Sequence, residues 1–207
     1  MQKAFIYLKK GISALLVKFQ KPIDWCLTYC TFYFNDVKNS TFISHGRPKV
    51  NVGLGGRCSI GSNFKMNNRE SSNPIGRFNR CSIIVGKKGD LIIGDNVGMS
   101  STAIVCHNRI EIGNNVNIGG NVVIYDTDFH SINPQDRLYR KKDIENTKTK
   151  PVKIGNNAFI GAHSTILKGV TIGNNSVVGA CSVVTKSIPE NEIWGGNPAK
   201  KIKDLVI

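Results

Sequence analysis

The feature that most restricts the fold of this chain is a repeat of six residues. From 154 to 184 an aliphatic residue stands at every sixth position, usually followed by glycine, with a small or β-branched residue four places on. A second block follows the same rule, with a slip of one residue between Val105 and Ile112. The first run is Ile154, Ile160, Ile166, Ile172, Val178 and Val184, and the second is Ile93, Met99, Val105, Ile112, Ile118 and Ile124. Two such runs in one chain predict a repeat architecture.

Each six-residue unit, with one buried aliphatic residue and one turn glycine, describes a short strand followed by a corner. Three units close one coil, so Ile154 and Ile172 are predicted to be stacked neighbours, with coils about 4.8 Å apart. Irregular units from about Val50 to Ile84 extend the stack to roughly six coils. The 21 glycines and abundant asparagines fit an all-β chain with many tight corners.

The chain of 207 residues is predicted to be one domain with appendages. We assign residues 1–45 to an N-terminal helical and aromatic extension and residues 46–190 to a parallel β-helix solenoid. A loop over 127–150 interrupts the repeat, and residues 191–207 form a C-terminal tail. A solenoid tolerates insertions at its corners, and such loops often have a functional role.

The N-terminal segment shows apolar residues three or four apart, which predicts an amphipathic helix. The apolar residues are Phe5, Leu8, Ile12, Leu15 or Leu16, and Phe19. Lysines interrupt every apolar run well short of the roughly 20 residues that a bilayer requires, and no small-residue cleavage site follows Val17. We therefore expect a cytoplasmic chain. The helix either caps the first coil of the solenoid or contacts an anionic membrane at the inner face, and the sequence leaves both open.

The composition favours a polyanionic partner and argues against several other classes. The formal net charge is +14, but the lysines are scattered and no nucleic-acid-binding motif accompanies them, so we expect no nucleic acid partner. The phosphates of coenzyme A satisfy the same electrostatics. The six cysteines lack metal-binding spacing and are predicted to be reduced, with no metal site.

Three stretches resemble the hexapeptide-repeat acyltransferases, a family that includes sugar and serine acetyltransferases and the O-acetyltransferases of surface polysaccharides. They are IGNNVNIGGNVVIYDTDFH, IGNNAFIGAHSTILKGVTIGNNSVVGACSVVTKSIP and WGGNPAKKI, and the resemblance covers about residues 50 to 203. It implies a left-handed coil, a homotrimer and acetyl-CoA as the acyl donor. The DTDFH form and the N-terminal extension resemble the polysaccharide and sugar O-acetyltransferases most closely.

The resemblance implies that His130, on an extruded catalytic loop, is the general base for the acceptor. Imidazole suits this role because its ordinary pKa near 6.5 leaves much of it neutral at cytoplasmic pH. Asp128, Asp126 or a backbone carbonyl is expected to hold the other ring nitrogen, and the second carboxylate to bind acceptor hydroxyls. We assign Asp128 to catalysis with His130 and Asp126 to the acceptor.

Two corners are implied to contact the acceptor, one at Asn108 beside His107 and one at Ser100. His163 is predicted to be a turn residue. The implied donor site lies between subunits, with small residues along the pantetheine arm, lysines near the phosphates and the Ala162 N–H as an oxyanion donor. Its residues are Phe159, Gly161, Ala162, Ala180, Thr185, Lys186, Gly196, Lys200 and Lys203.

The predicted activity is transfer of an acetyl group from acetyl-CoA to a sugar hydroxyl by direct attack, since no nucleophile motif is present. The acceptor is expected to be a carbohydrate or a polysaccharide precursor. An amino-sugar N-acetyltransferase is the first alternative. A zinc enzyme of the γ-carbonic anhydrase type would need three converging histidines, which the spacing of the four histidines disfavours. A non-catalytic β-helix binding protein is the third.

Overall fold

The computed structural model describes residues 2–73, 75 and 79–206, without the side chains of residues 2–4, 8, 13 and 14. It is a left-handed parallel β-helix preceded by one long helix, α1 (Gln2–Tyr33). The predicted fold class is therefore confirmed. The side chain of Leu8, a member of the predicted apolar stripe, lies outside the part of the chain that the structure describes.

Each coil of the solenoid contributes one strand to each of three parallel sheets. The first three coils contain β1 (Val37–Asn39), β2 (Phe42–His45), β3 (Lys49–Val52), β4 (Arg57–Ile60), β5 (Phe64–Asn67), β6 (Ser82–Val85), β7 (Asp90–Ile93), β8 (Gly98–Ser100) and β9 (Ala103–Cys106). The next three contain β10 (Arg109–Ile112), β11 (Asn117–Ile118), β12 (Val123–Tyr125), β13 (Val152–Ile154), β14 (Phe159–Ile160), β15 (Thr165–Ile166), β16 (Thr171–Ile172), β17 (Val177–Val178) and β18 (Val183–Val184). The first sheet runs β1-β4-β7-β10-β13-β16, the second begins β2-β5-β8-β11-β14-β17, and the third is β3-β6-β9-β12-β15-β18.

The register confirms the predicted stacking. Ile154 pairs with Ile172, and both are buried in a core of aliphatic side chains that runs along the solenoid axis. Val105 differs from the prediction, since it points outward while Ile104 and Cys106 point into the core. The reason is the corner that precedes β9: Met99 and Ile104 are five positions apart, whereas Ile118 and Ile124, with which they pair, are six apart, so Ile104 takes the inward position.

Asparagine builds the corners between the first and second sheets. Six asparagines there occupy the left-handed region at φ 56–61°, which asparagine tolerates better than most other residues. The side-chain amides of the first five donate to the next coil's asparagine at 2.8–3.1 Å, forming a ladder along the solenoid. The ladder consists of Asn63, Asn96, Asn115, Asn157, Asn175 and Asn191. This repeated corner therefore accounts for part of the abundance of asparagine.

The end of α1 covers the first coil. Asp24, Thr28 and Phe32 are buried there, and the rings of Phe32 and Phe42 meet edge to face at 5.2 Å. Asp24 forms an ion pair with Arg69. The first coil begins at Val37, so the solenoid starts before the predicted boundary at 46.

Two excursions leave the solenoid. The first lies between β5 and β6 and includes a 3-10 helix (Glu70–Ser72). It follows Asn68, whose Nδ2 donates to Ser44 Oγ at 3.0 Å and whose Oδ1 accepts from the Cys81 N–H at 2.8 Å. The sequence prediction missed it, because its residues were read as irregular repeat units. The second lies between β12 and β13 and contains α2 (Pro134–Arg137) and α3 (Arg140–Asn146).

The last coil ends in a hairpin. The strand β19 (Glu192–Gly195) pairs in parallel with β17, and β20 (Lys200–Asp204) pairs antiparallel with β19. The hairpin occupies hydrogen-bonding groups that the second sheet would otherwise expose at its edge. Within the described part of the chain, no helix is both long and apolar enough to cross a bilayer.

Candidate active site

The second excursion is closed by a short antiparallel neck. The Lys150 N–H donates to the Asp126 carbonyl at 2.9 Å, and the Asp128 N–H donates to the Lys148 carbonyl at 3.1 Å. Residues 129–147 therefore form a tip that two strands of backbone hold beside the solenoid. We call 126–150 the catalytic-loop candidate.

His130 lies at the start of this tip and is paired with Asp143 of α3. The distance from His130 Nδ1 to Asp143 Oδ2 is 2.7 Å, and the Ser131 N–H donates to Asp143 Oδ1 at 2.7 Å. These two hydrogen bonds, the one from His130 being the larger cause, lower the pKa of Asp143. A charged carboxylate only accepts, so Nδ1 carries the proton and Nε2 presents a lone pair. The His130 side chain is 69% exposed, which leaves Nε2 accessible.

Asp128 does not hold the imidazole, which differs from the prediction. Its Oδ1 lies 2.6 Å from Lys168 Nζ, which belongs to the following coil. Asp128 therefore ties the catalytic-loop candidate to the solenoid, while Asp143 orients the histidine. Asp143 is thirteen residues beyond His130, and only the folding of α3 brings the two together.

Asp126 is buried, which also differs from the acceptor-contacting role predicted for it. Its two oxygens accept hydrogen bonds from the N–H groups of His107 and Asn108, both at 2.7 Å. A two-residue corner cannot satisfy these groups within its own turn, so the carboxylate of the next coil replaces the missing acceptors. Asp126 builds the corner on which the loop rests.

The two predicted acceptor corners lie apart. Asn108 contacts the neck, since its Nδ2 donates to Thr149 Oγ1 at 3.2 Å. The ring centroids of the neighbouring His107 and of Phe129 lie 6.4 Å apart. Ser100 lies at a corner between the second and third sheets, where its Oγ accepts from Asn67 Nδ2 at 2.9 Å. The neck thus brings together Asn108, Asp126, Asp128 and His130 but not Ser100.

The corner at Ala162 differs chemically from the asparagine corners. At an asparagine corner the side chain of the next coil caps the free backbone donor, as Asn174 does for the Asn156 N–H at 2.8 Å. At the equivalent Ala162 and Ala180 positions no side chain can do so, and among the described residues their N–H groups donate no hydrogen bond. The preceding Gly161 is required here, because a Cβ would lie 2.5 Å from the Ala180 nitrogen. This corner offers unpaired donors to a ligand.

The other predicted donor residues surround the last coil. The Gly196 N–H donates to Ser182 Oγ at 3.1 Å, which places the C-terminal hairpin beside the Ala180 corner. Thr185, Lys186, Lys200 and Lys203 are exposed, and Phe159 is 48% exposed on the second sheet. Lys201, between the two hairpin lysines, is bound instead to Glu192 at 2.8 Å and Asp204 at 2.7 Å.

Comparison with known proteins agrees with the repeat architecture. A family model described as bacterial transferase hexapeptide (six repeats) matches residues 151–186, which include the Ala162 corner. A hexapeptide-repeat containing acetyltransferase from Vibrio cholerae is 33% identical with a TM-score of 0.51, over 61% of this chain and 67% of that chain. The chain belongs to the hexapeptide-repeat transferase family.

Two further relatives of this hexapeptide-repeat transferase are informative. Protein CapG of Staphylococcus aureus is 52% identical over 96 residues, which are 46% of this chain and 53% of CapG. The chain thus spans little more than half the length of the curated relatives it matches. A variant of AntD, an N-acyltransferase from Bacillus cereus solved with dTDP and coenzyme A, is 25% identical with a TM-score of 0.57, over 82% of this chain and 83% of that chain.

The histidines of this hexapeptide-repeat transferase do not converge. His163 lies at a corner with φ +63°, and its N–H donates to the Gly120 carbonyl at 2.8 Å, as expected of a turn residue. Among the residues that the structure describes, no group of three or more potential ligands could hold a metal ion.

Proposed function

We propose that this protein transfers an acetyl group from acetyl-CoA to a hydroxyl of a sugar or polysaccharide precursor. The observation that supports this most strongly is the His130–Asp143 pair, an exposed imidazole whose tautomer is determined by a charged carboxylate. The family relationship and the acetyltransferase among the solved relatives agree with acyl transfer.

The proposed mechanism is direct attack within a complex of both substrates. His130 Nε2 takes the proton of the acceptor hydroxyl while the hydroxyl oxygen attacks the thioester carbonyl. The Ala162 N–H stabilises the negative charge that develops on that carbonyl oxygen. Collapse of the tetrahedral intermediate breaks the carbon–sulfur bond, and the imidazolium returns its proton to the departing thiolate. Asp143 stabilises the imidazolium throughout, as the carboxylate of a catalytic triad does.

Three of the six cysteines, which are buried, are unsuited to a covalent acyl-cysteine route. Burial raises the pKa of Cys58 to about 12, of Cys81 to about 11 and of Cys106 to about 12. A thiol attacks as the thiolate, so these three groups are inert near neutral pH.

The donor is proposed to lie along the Ala162 and Ala180 corners and to reach the C-terminal hairpin. Unpaired N–H groups suit the amides of a pantetheine arm, and the small side chains let that arm approach the backbone. The exposed lysines 186, 200 and 203 are proposed to meet the phosphates.

The active assembly is proposed to be a homotrimer. From β6 onward the outward face of the third sheet is mostly apolar, with Ser82 and Thr165 as polar members. Its apolar side chains are Ile84, Ala103, Val105, Val123, Leu167 and Val183. The outward face of the first sheet is charged, with Asp90 bound to Arg57 at 3.1 Å and to Arg109 at 2.7 Å. Apolar sheet faces are commonly buried, so the third sheet is the proposed subunit contact.

Transfer to an amino sugar is the second candidate, because the AntD relative is named an N-acyltransferase. The two candidates differ in their product. Alkaline hydroxylamine cleaves an O-acetyl ester and leaves an amide intact, so treating the isolated product distinguishes them.

The function is tested by incubating the protein with acetyl-CoA and a panel of nucleotide sugars and oligosaccharides while free thiol is measured. We expect thiol release that depends on one class of carbohydrate acceptor. If no acceptor releases thiol and calorimetry detects no binding of CoA, the protein is a non-catalytic β-helix. Acceptor-dependent release by an amine alone would support the second candidate.

A further inference from the structure

The helix α1 has two parts with different surroundings. Along its last turns a stripe of buried side chains packs on the solenoid, formed by Asp24, Thr28, Thr31 and Phe32. Gln20 extends this stripe by accepting a hydrogen bond from Arg69. Every side chain that the structure describes between residues 5 and 23 is exposed. At about 1.5 Å per residue this exposed part is roughly 28 Å long.

The exposed part has its own apolar stripe, and this stripe points away from the solenoid. With about 100° per residue, Ile6 and Val17 lie on the docked side of the helix, and six other apolar side chains fall within one arc that faces away from it. They are Phe5, Ile12, Leu15, Leu16, Phe19 and Ile23, and each is more than half exposed, Phe5 at 71% and Phe19 at 66%. The cap therefore accounts for the end of α1 but not for this arc.

Charge determines what can cover the arc. Four lysines lie between residues 5 and 23, and no aspartate or glutamate lies there: Lys9, Lys10, Lys18 and Lys21. A second copy of the helix packed on the arc would bring eight like charges close together. An anionic surface removes that repulsion and also accepts apolar side chains beneath its charged layer.

An aromatic column lies beside the arc and leads to the solenoid, where Trp25 also stacks on Phe42 of β2 at 5.9 Å. Trp25 stacks on Tyr29 at 5.3 Å, and Tyr29 stacks on Tyr33 at 6.4 Å. All three are exposed, together with Phe34 at 81%. Tryptophan and tyrosine are enriched at the level of lipid headgroups, because their rings are apolar at one end and polar at the other.

We infer that residues 5–23 bind the surface of an anionic lipid bilayer and hold the solenoid beside it. The helix lies in the plane of the headgroups, with the apolar arc among the acyl chains and the lysines at the phosphates. It does not span the bilayer, in keeping with the hydropathy of the described helices.

The test is co-sedimentation of the full chain with mixed phosphatidylcholine–phosphatidylserine vesicles in low salt. We expect binding that weakens as salt is raised and that is absent from phosphatidylcholine vesicles. The combined change Ile12→Ser, Leu16→Ser, Phe19→Ser should lower the partition coefficient by about 100-fold or more. Replacing the four helix lysines with glutamine should lower it by about 100-fold in low salt.

The matched control replaces four exposed lysines of the coils with glutamine, namely Lys38, Lys65, Lys87 and Lys153. It removes the same charge from the molecule and should leave binding nearly unchanged. All three variants should unfold at the wild-type temperature, because the altered side chains are exposed. The inference is overturned if the wild type does not sediment, if the serine variant binds as well as the wild type, or if the coil variant loses as much binding as the helix variant. If the wild type does not bind vesicles and the serine variant has a lower mass by light scattering, the arc is a contact with a second copy.

Discussion

At the scale of single residues, His130 and Asp143 determine the rate of the proposed reaction. Replacing His130 with alanine should lower kcat by about 10²- to 10⁴-fold, or roughly 3 to 5 kcal/mol of transition-state stabilisation. CoA binding and the assembly should persist, because the side chain is outside the core. A variant that keeps more than about a tenth of wild-type kcat would exclude His130 as the base.

Asp143→Asn tests the positioning role separately. An amide can donate to Nδ1, which would move the ring proton to Nε2 and remove the lone pair that the base needs. We expect kcat to fall by about 100-fold or more with little change in KM, whereas Asp143→Glu should recover part of the activity. Since the pKa of Asp143 is lowered in the fold, the pair stabilises the loop at neutral pH and loses that contribution only in acid, as pH falls through the lowered value. Equal activity of the Asn and Glu variants would contradict the assignment.

The cysteines test the donor corner. Cys26, Cys30 and Cys181 are exposed, whereas the other three are buried, so three thiols should react rapidly with a disulfide reagent in the native protein and six after unfolding. Cys181 directly follows Ala180, so saturating CoA should slow its labelling. Cys26 and Cys30 on α1 serve as internal controls and should label at the same rate. Unchanged labelling of Cys181 would contradict the proposal that CoA binds at this corner.

At the scale of elements, the neck depends on Asp126. Asp126→Ala leaves two N–H groups without acceptors at a buried corner, so urea unfolding should show a loss of about 2 to 4 kcal/mol. Asp95→Ala is the matched control, because Asp95 accepts from the Ser62 N–H at an exposed corner where water can replace it. We expect that change to be below about 1 kcal/mol. Equal losses would show that the neck does not depend on burial of this carboxylate.

The C-terminal hairpin supports a prediction about the donor alone. Charge removal at Lys186, Lys200 and Lys203 should raise KM for acetyl-CoA and leave the acceptor KM nearly unchanged. Lys201→Gln is the control, since this lysine is bound to Glu192 and Asp204 and should not be available to phosphates. An effect on the acceptor KM alone would reverse the assignment.

The repeat was predictable because each coil repeats one chemical rule in a few adjacent residues. Ile154 and Ile172 could be paired from spacing alone, and they are paired in the structure. The partner of His130 could not be found in this way, because Asp143 approaches only through the path of α3 and no spacing rule governs that path. The excursion after Asn68 was missed for the opposite reason, since its residues imitate irregular repeat units.

At the scale of the whole molecule, the unequal outer faces of the solenoid predict which one joins subunits. Light scattering should show a trimer at micromolar concentration. Ala103→Arg places a charge in the apolar face of the third sheet, where its desolvation on assembly is unfavourable, so this variant should dissociate. Ser59→Arg makes the same change on the charged first sheet and should remain trimeric with unchanged activity. A monomeric wild type would contradict the proposed donor site between subunits. A dissociated Ser59→Arg variant would indicate that the interface is formed by the first sheet.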